Sequence, residues 1–321
     1  MGALLYIPWF KAEPWEIPLP FSVPLLGDTL PIQPFGLLVA IGVLLGARMA
    51  EWYAKKHHIV PGAVADLITH VVILGFVFGY VLNGVFYHPE TVQEILDRPV
   101  LLFSRWLGLS SYGGFLGAVI GAWVWKRRRR VPLMPVLDAV AFGFPIGWLF
   151  GRTGCFVVHD HPGRVTDFFL AVDDYRAGMP PWQPRHDLGL YEVLWSAACI
   201  LLFVALLRVR RPRGLYVALL PLLYAPIRFF LDYLRAPADT GGDLRYLGLT
   251  PGQYASIGFV LVGAFVLRYV LKHPDPEIPE GMRLPSDEPP ETGATSPGDA
   301  PSSSAPGATE RGQPGASGPP S

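Results

Sequence analysis

The chain has 321 residues, of which 51% are hydrophobic and 16% are charged, and its 26 basic and 26 acidic side chains balance. This composition excludes an ordinary soluble enzyme and predicts an all-α polytopic membrane protein. The 2 cysteines are too few for a disulfide framework or a four-thiolate metal site. Because the sequence has no nucleotide-binding loop and no cofactor fingerprint, we expect no cofactor, no metal and no nucleic-acid partner.

The segment 1–32 predicts an arm that lies outside the membrane or at its interface. Prolines recur from Pro8 to Pro24, and the segment lacks the basic start and continuous apolar core of a cleavable signal peptide, so we expect none. Its tyrosine and its two tryptophans suit the headgroup level, where amphipathic rings are enriched. These are Tyr6, Trp9 and Trp15.

The segment 33–272 predicts a membrane domain of about seven helices. A helix needs roughly 20 apolar residues to cross the hydrocarbon core. We place the spans at 35–50, 66–87, 107–125, 133–156, 190–207, 216–234 and 251–271.

Lysine and arginine predict the orientation of these spans, because short cytoplasmic loops carry an excess of both. Basic residues cluster at 55–56, 126–130, 208–213 and 268–272, which all fall on one side when the spans are counted. We expect that side to be cytoplasmic, with the N-terminus, a loop at about 157–188 and the 235–249 loop outside. The segment 273–321 is rich in proline, glycine, serine and acidic residues, which predicts a disordered cytoplasmic tail.

The third predicted span begins with SSYGGFLG and presents a face of small residues, Gly113, Gly114, Gly117 and Gly121. Close packing of two helices explains such a face. Gly113 and Gly114 would also let the backbone approach a lipid headgroup, so both interpretations stay open.

The fourth predicted span ends in GRTGCFVVHDHPG, at 151–163. An arginine at membrane depth costs about 3 kcal/mol unless it is paired or faces a polar cavity, so Arg152 is a candidate functional residue. A second polar cluster, Arg228, Asp232 and Arg235, lies in another apolar run. Two guanidinium groups that converge from two helices would suit a phosphate, which arginine binds through a planar fork of donors.

Other polar residues near these arginines have more than one interpretation. Cys155 is either a small packing residue or part of a reaction cavity. His159 and His161 flank Asp160 in a sequence that suits a polar surface loop, acid–base catalysis or headgroup binding. An HxH pattern ligates a metal only if further ligands converge. Asp138 and Glu192, which lie in predicted spans, can pair with arginines or cap broken helices.

Five landmarks, in order, resemble the prolipoprotein diacylglyceryl transferase family over about 34–263. They are PFGLLVAIG, SSYGGFLG, Asp138 followed by GRTGCF, LYE at 190–192, and RFFLDYLRAPAD followed by LTPGQYAS. The resemblance implies a multi-pass enzyme of the bacterial inner membrane with an active site toward the periplasm. It would transfer the diacylglyceryl group of phosphatidylglycerol to the lipobox cysteine of a prolipoprotein signal peptide and release glycerol phosphate.

Within this resemblance, Arg152 and Arg228 match the family's essential arginines and would hold the phosphate. The expected catalytic residues are Arg152, Arg228, Tyr112, Asp160 and His159. The expected substrate-binding residues are Gly113, Gly114, Gly154, Cys155, Asp232, Arg235 and Glu192.

The chain departs from the family pattern at the expected proton acceptor. Tyr112 stands where histidine is typical, and a tyrosine, with an ordinary pKa of about 10, is a poor base unless it is perturbed. His159 or His161 would then be alternative bases. Further departures are Phe35 for tyrosine, Cys155 and Val158 for asparagine, and Asp160 and Asp232 for glutamate.

The departures leave two alternatives to this transferase: a non-catalytic phospholipid- or lipoprotein-binding paralogue, or a transferase with a different acceptor. A transporter is disfavoured, because the charged residues gather at the outer side instead of forming a path through the midplane.

Overall fold

The computed structural model describes residues 6–23, 27–87, 89–97, 111–176, 182–236, 245–273 and 283. An antiparallel hairpin comes first, formed by β1 (Trp15–Val23) and β2 (Gly27–Ile32). The next elements are α1 (Pro34–Lys56), α2 (Pro61–Tyr87), α3 (Pro89–Asp97), α4 (Ser111–Arg129) and α5 (Met134–Val158). Three short strands follow, β3 (Pro162–Val165), β4 (Val172–Tyr175) and β5 (Gln183–Asp187). The last helices are α6 (Leu188–Leu206), α7 (Leu215–Leu231), a 3-10 turn (Asp232–Leu234) and α8 (Pro251–Lys272).

Among the described residues, 6 helices are long and apolar enough to cross a membrane, namely α1, α2, α5, α6, α7 and α8. This confirms a mostly helical, polytopic membrane protein. The third predicted span, 107–125, overlaps α4, but residues 107–110 lie outside the described part. Of the predicted tail at 273–321, His273 and Arg283 are described. The count of seven spans, the disorder of the tail and the orientation of the termini therefore stay predictions.

Glycines let α1 approach α5 closely. A Cβ added at Gly42 would lie 2.8 Å from the carbonyl oxygen of Gly147, and one added at Gly46 would lie 3.1 Å from that of Gly143. Helix α2 packs against α4, and α7 packs against α8. Close backbone approach maximises van der Waals contact, which drives helix association where lipid tails are as apolar as the side chains.

A buried aromatic cluster surrounds Asp138 on α5. The ring of Phe142 lies 4.8 Å from that of Tyr53 and 5.2 Å from that of Tyr216. Asp138 accepts hydrogen bonds from the Tyr53 hydroxyl at 2.9 Å and from the backbone N–H of Tyr216 at 2.8 Å. Asp138 thus caps the first turn of α7, which is one of the two roles that its sequence context suggested.

The connection between α5 and α6 carries a three-stranded antiparallel sheet in the order β3-β5-β4. The sequence predicted an external loop at about 157–188, and α5 continues to Val158 before this connection begins. The N-terminal arm pairs with it, since the Ile7 N–H donates to the Ala171 carbonyl at 2.9 Å and the Asp173 N–H donates to the Ile7 carbonyl at 2.8 Å. The arm and the α5–α6 connection therefore lie together.

Candidate functional site

Four helix ends contribute polar side chains to one site. The C-terminal ends of α5 and α7 carry Arg152 and Arg228, and the N-terminal ends of α6 and α8 carry Glu192 and Thr250. The basic segments of the chain lie at the C-terminal ends of α1, α4, α6 and α8. The polar site and the basic segments therefore occupy opposite ends of the helices.

Arg152 is held by contacts on several sides. Its Nε lies 2.9 Å from Oε2 of Glu192, and its side chain is 13% exposed. Its guanidinium carbon lies 4.7 Å from the centroid of the Trp148 ring. Nη1 lies 3.4 Å from Nε2 of His161 and 3.9 Å from Sγ of Cys155. A buried arginine needs such a carboxylate partner, because an uncompensated charge in this environment is strongly destabilising.

Glu192 accepts several hydrogen bonds at the centre of this arrangement. Its side chain is 2% exposed. The Oε2 atom that binds Arg152 also accepts from Nε1 of Trp148 at 3.3 Å and from the Tyr224 hydroxyl at 3.1 Å. A buried carboxylate is tolerated when it is paired and hydrogen-bonded in this way. In this geometry Glu192 orients Arg152.

Arg228 is fixed by a second buried carboxylate. It pairs with Asp232, one turn further along the chain, whose side chain is fully buried. Asp232 also accepts from the Thr250 hydroxyl and lies 3.4 Å from Nε of Arg235. Thr250 caps α8 through a capping box with Gln253. Asp232 therefore joins the end of α7 to the start of α8 while it orients Arg228.

The two arginines converge on the same pair of groups. Glu192 and Tyr224 each lie close to both Arg152 and Arg228, and the two guanidinium groups are close enough to repel each other. Two cationic forks fixed beside each other suit a doubly coordinated anion such as a phosphate.

Asp160 and His161 lie beside Arg152 just after the end of α5. His161 Nδ1 contacts Oδ1 of Asp160, and the two side chains are 24% and 42% exposed. A carboxylate oxygen of Asp160, a ring nitrogen of His161 and Sγ of Cys155 lie within 4.8 Å of one another. These three groups are able to share protons or to hold a metal ion.

His159 points away from that cluster although it is separated from His161 by one residue. Its side chain is fully buried, with Nδ1 2.7 Å from Oδ2 of Asp187, and the ring of Trp9 stacks on it at 4.4 Å. The Tyr175 hydroxyl donates to the His159 carbonyl at 2.9 Å. Burial raises the pKa of Tyr175, so its hydroxyl stays a neutral donor. This burial favours a positioning role for His159 over contact with a substrate.

Gly113 and Gly114, which we expected to bind substrate, lie on the face of α4 that meets α2. A Cβ added at Gly113 would lie 2.8 Å from Cα of Gly79, and one added at Gly114 would lie 4.0 Å from the carbonyl oxygen of Gly75. This geometry supports the packing interpretation, most strongly for Gly113. Tyr112 lies in the first turn of α4, and its side chain is outside the described part of the structure.

Gly154 and Arg235 join elements around the site. A Cβ added at Gly154 would lie 2.9 Å from Cδ2 of Phe35 at the start of α1. The backbone of Arg235 forms a bridge with that of Gly163, and its carbonyl accepts from Nε of Arg164 at 3.2 Å. Arg235 therefore contacts both Asp232 and the segment that follows α5.

Several residues that position the arginines were not predicted from the sequence. Trp148 precedes Arg152 by four residues and Tyr224 precedes Arg228 by four, so each lies one helical turn away on the same face. The sequence from Thr250 to Gln253 also has the spacing of a capping box. These local signals were available in the sequence.

Comparison with known proteins covers the same region of the chain. The family model of the prolipoprotein diacylglyceryl transferases matches residues 23–269. A phosphatidylglycerol–prolipoprotein diacylglyceryl transferase from Chromohalobacter salexigens is 33% identical over 236 residues, 71% of this chain and 84% of the relative. A protein of the same name from Janthinobacterium sp. (strain Marseille) is 30% identical over 274 residues, 79% of this chain and 96% of the relative. Another from Legionella pneumophila (strain Paris) is 33% identical over 262 residues, 78% of this chain and 95% of the relative.

Proposed function

Since the chain belongs to the prolipoprotein diacylglyceryl transferase family, we propose that it transfers the diacylglyceryl group of phosphatidylglycerol to the lipobox cysteine of a prolipoprotein. The thiol sulfur forms a bond to a glyceryl carbon, and the bond between that carbon and a phosphate oxygen breaks. Glycerol phosphate leaves, and the thiol proton passes to a base. The product is a diacylglyceryl thioether on the lipoprotein precursor.

The observation that carries this proposal is the pair of arginines that lie close to the same two groups, Glu192 and Tyr224. Negative charge develops on the phosphate as the carbon–oxygen bond breaks. Arg152 and Arg228 are already oriented by Glu192 and Asp232, so they stabilise this charge with little reorganisation. A preorganised donor of this kind contributes about 100-fold to 1,000-fold in rate.

His161 is the best-placed acceptor for the thiol proton among the described residues. Its Nδ1 is held by Asp160, and its Nε2 lies 3.4 Å from Nη1 of Arg152, beside the proposed phosphate site. A histidine whose one ring nitrogen is fixed by a carboxylate presents the other as a base. We assign Asp160 the role of orienting His161, and we assign His159 a positioning role because its side chain is buried. The catalytic role expected for Tyr112 stays a prediction.

We place this site on the outer side of the bacterial inner membrane. The basic segments at 55–56, 126–130 and 208–213 lie at the helix ends opposite the site, and such segments are retained in the cytoplasm. The arm at 1–32 would then also be external, because its Ile7 pairs with the connection between α5 and α6. A thiol on a translocated signal peptide would meet the site from this side.

The test is a transfer assay with the purified full-length protein in detergent. Phosphatidylglycerol and a synthetic peptide that contains a lipobox cysteine are added, and mass spectrometry detects the diacylglyceryl thioether. We expect Arg152→Ala and Arg228→Ala each to lower the transfer rate at least about 100-fold. Arg208→Ala is the matched control, because Arg208 is exposed in a basic segment at the other end of the helices.

Two results would change this assignment. Full activity in correctly folded Arg152→Ala or Arg228→Ala would refute the phosphate-binding role of that arginine. Failure to form product, while the Chromohalobacter salexigens relative is active under the same conditions, would refute this acceptor and favour either another acceptor or a lipid-binding role.

A further inference from the structure

We propose that Cys155, Asp160 and His161 form a binding site for a thiophilic divalent cation such as Zn²⁺. The three side chains offer a sulfur, an oxygen and a nitrogen, and these atoms lie within 4.8 Å of one another. Cysteine, histidine and aspartate are the common protein ligands of Zn²⁺. The site is built by the last turn of α5 and the residues directly after it.

To accept the ion, the contact between Asp160 and His161 must open, and the ligand atoms, which already lie within 4.8 Å of one another, must close on the metal. Zinc–ligand distances of about 2.0–2.3 Å in a tetrahedron place neighbouring ligand atoms roughly 3.5 Å apart. Cys155 is buried in the helix, so it forms the fixed side of the site. Asp160 and His161 are partly exposed and follow the left-handed residue His159, so their side chains have room to close on the ion.

The charges also suit a divalent cation. A Cys155 thiolate and the Asp160 carboxylate supply two negative charges, and neutral His161 supplies a lone pair. The thiol proton is released to solvent when the ion binds. Arg152 lies near this site, but its positive charge is already balanced by the Glu192 carboxylate. It therefore opposes binding of the ion less than an unpaired arginine would.

Three protein ligands leave the fourth tetrahedral position open, as in zinc sites that exchange a bound molecule. Nη1 of Arg152 lies 3.4 Å from Nε2 of His161 and 3.9 Å from Sγ of Cys155, so an ion bound to these two side chains would compete with Arg152 for their contacts. Zinc would also occupy the lone pair of His161. We therefore expect Zn²⁺ to inhibit transfer, and this consequence rests on the proposed function, whereas metal binding does not.

The decisive measurement is a Co²⁺ titration of the purified full-length protein, followed by displacement with Zn²⁺. We expect one Co²⁺ per chain and a thiolate-to-cobalt charge-transfer band that disappears in Cys155→Ser. Cys199→Ser is the matched control, because Cys199 is the second buried cysteine and lies within α6. That variant should retain the band at full intensity.

Two further variants keep the test informative if Cys155→Ser fails to fold. Asp160→Asn and His161→Gln change partly exposed side chains, and each should weaken Zn²⁺ binding at least about tenfold while the protein still melts cooperatively. A cobalt band that persists in Cys155→Ser, or Zn²⁺ binding unchanged in both of these variants, would overturn the proposal. The cobalt spectrum decides the metal site even if the protein transfers no lipid. In an active protein, inhibition by Zn²⁺ should be reversed by a chelator.

Discussion

Asp187 and His159 join the start of α6 to the end of α5. Oδ2 of Asp187 lies 2.7 Å from Nδ1 of His159, and Oδ1 accepts from the backbone N–H of Leu190 at 3.0 Å. One carboxylate therefore caps α6 and also holds the residue at which α5 ends. Because Arg152 lies on α5 and Glu192 on α6, this contact helps to hold together the two helix ends that carry the buried ion pair.

Asp187→Ala should destabilise the protein. The change removes a helix cap, worth about 1 kcal/mol, and leaves buried His159 without its partner, which costs about 1–3 kcal/mol more. Thermal unfolding in detergent should show a lower midpoint than wild type. Asp167→Ala is the control, because the Asp167 side chain is exposed.

Substitution of His159 tests whether this residue positions the site or takes part in the reaction. Its burial leads us to expect that His159→Ala loses stability together with activity. A His159→Ala protein with wild-type stability and no transfer activity would instead assign His159 to the reaction.

The sequence predicted the helices and the arginines because both signals are local. An apolar run that ends near Arg152 can be recognised in the sequence without knowing which helix packs against it. The contact between His159 and Asp187 was not predicted, because the two positions are 28 apart in the sequence and meet only through the fold of the connection between α5 and α6. The HDH sequence also suggested one cluster, whereas the left-handed backbone of His159 directs it away from His161.

The role of the glycines on α4 was left open for a different reason. The sequence shows a face of small residues but not which helix covers it. Gly113, Gly117 and Gly121 meet the backbone of α2, which depends on the tertiary arrangement of the two helices.

Arg152→Lys should lower transfer activity although it conserves the charge. Lysine lacks the planar fork that contacts Glu192 through Nε and His161 through Nη1, and it stacks less well on Trp148. We expect a decrease of about 100-fold in kcat/KM with little change in the unfolding midpoint. Steady-state kinetics across phosphatidylglycerol concentrations would measure it.

The control for this variant is Arg208→Lys, which changes an exposed arginine of a basic segment. Equal activity of Arg152→Lys and wild type would mean that charge alone suffices, and the geometric argument for the guanidinium would be wrong.

Gly117→Ala should be more destabilising than Gly114→Ala on the same helix. A Cβ at Gly117 would lie 2.6 Å from the carbonyl carbon of Leu74 and 2.9 Å from Cα of Gly75, so the backbones must separate. At Gly114 the nearest atom would be the carbonyl oxygen of Gly75, 4.0 Å away, which is ordinary contact. We expect overpacking to cost about 1–3 kcal/mol in Gly117→Ala and much less in Gly114→Ala. The unfolding midpoints of the two variants give the comparison, and equal midpoints would contradict this packing of α4 on α2.

His57, which follows α1, should make stability depend on pH. Burial, together with the charges of Arg211, Arg213, Lys56 and His58, lowers the pKa of His57 from an ordinary value of 6.5 to about 4. As pH falls below about 6.5, the unfolded chain binds a proton at this position that the folded protein does not bind until about pH 4. The contribution of His57 to folding stability should therefore decrease as pH falls through this window.

His57→Gln removes the titrating group, so its unfolding midpoint should fall less steeply than that of wild type between about pH 6.5 and 4. Above that window, the difference between the two proteins should be constant. His273→Gln, at an exposed histidine after α8, serves as the control for loss of a histidine. Parallel pH profiles for wild type and His57→Gln would show that the environment of His57 does not resist protonation, because the variant isolates this group from the carboxylates that titrate in the same range.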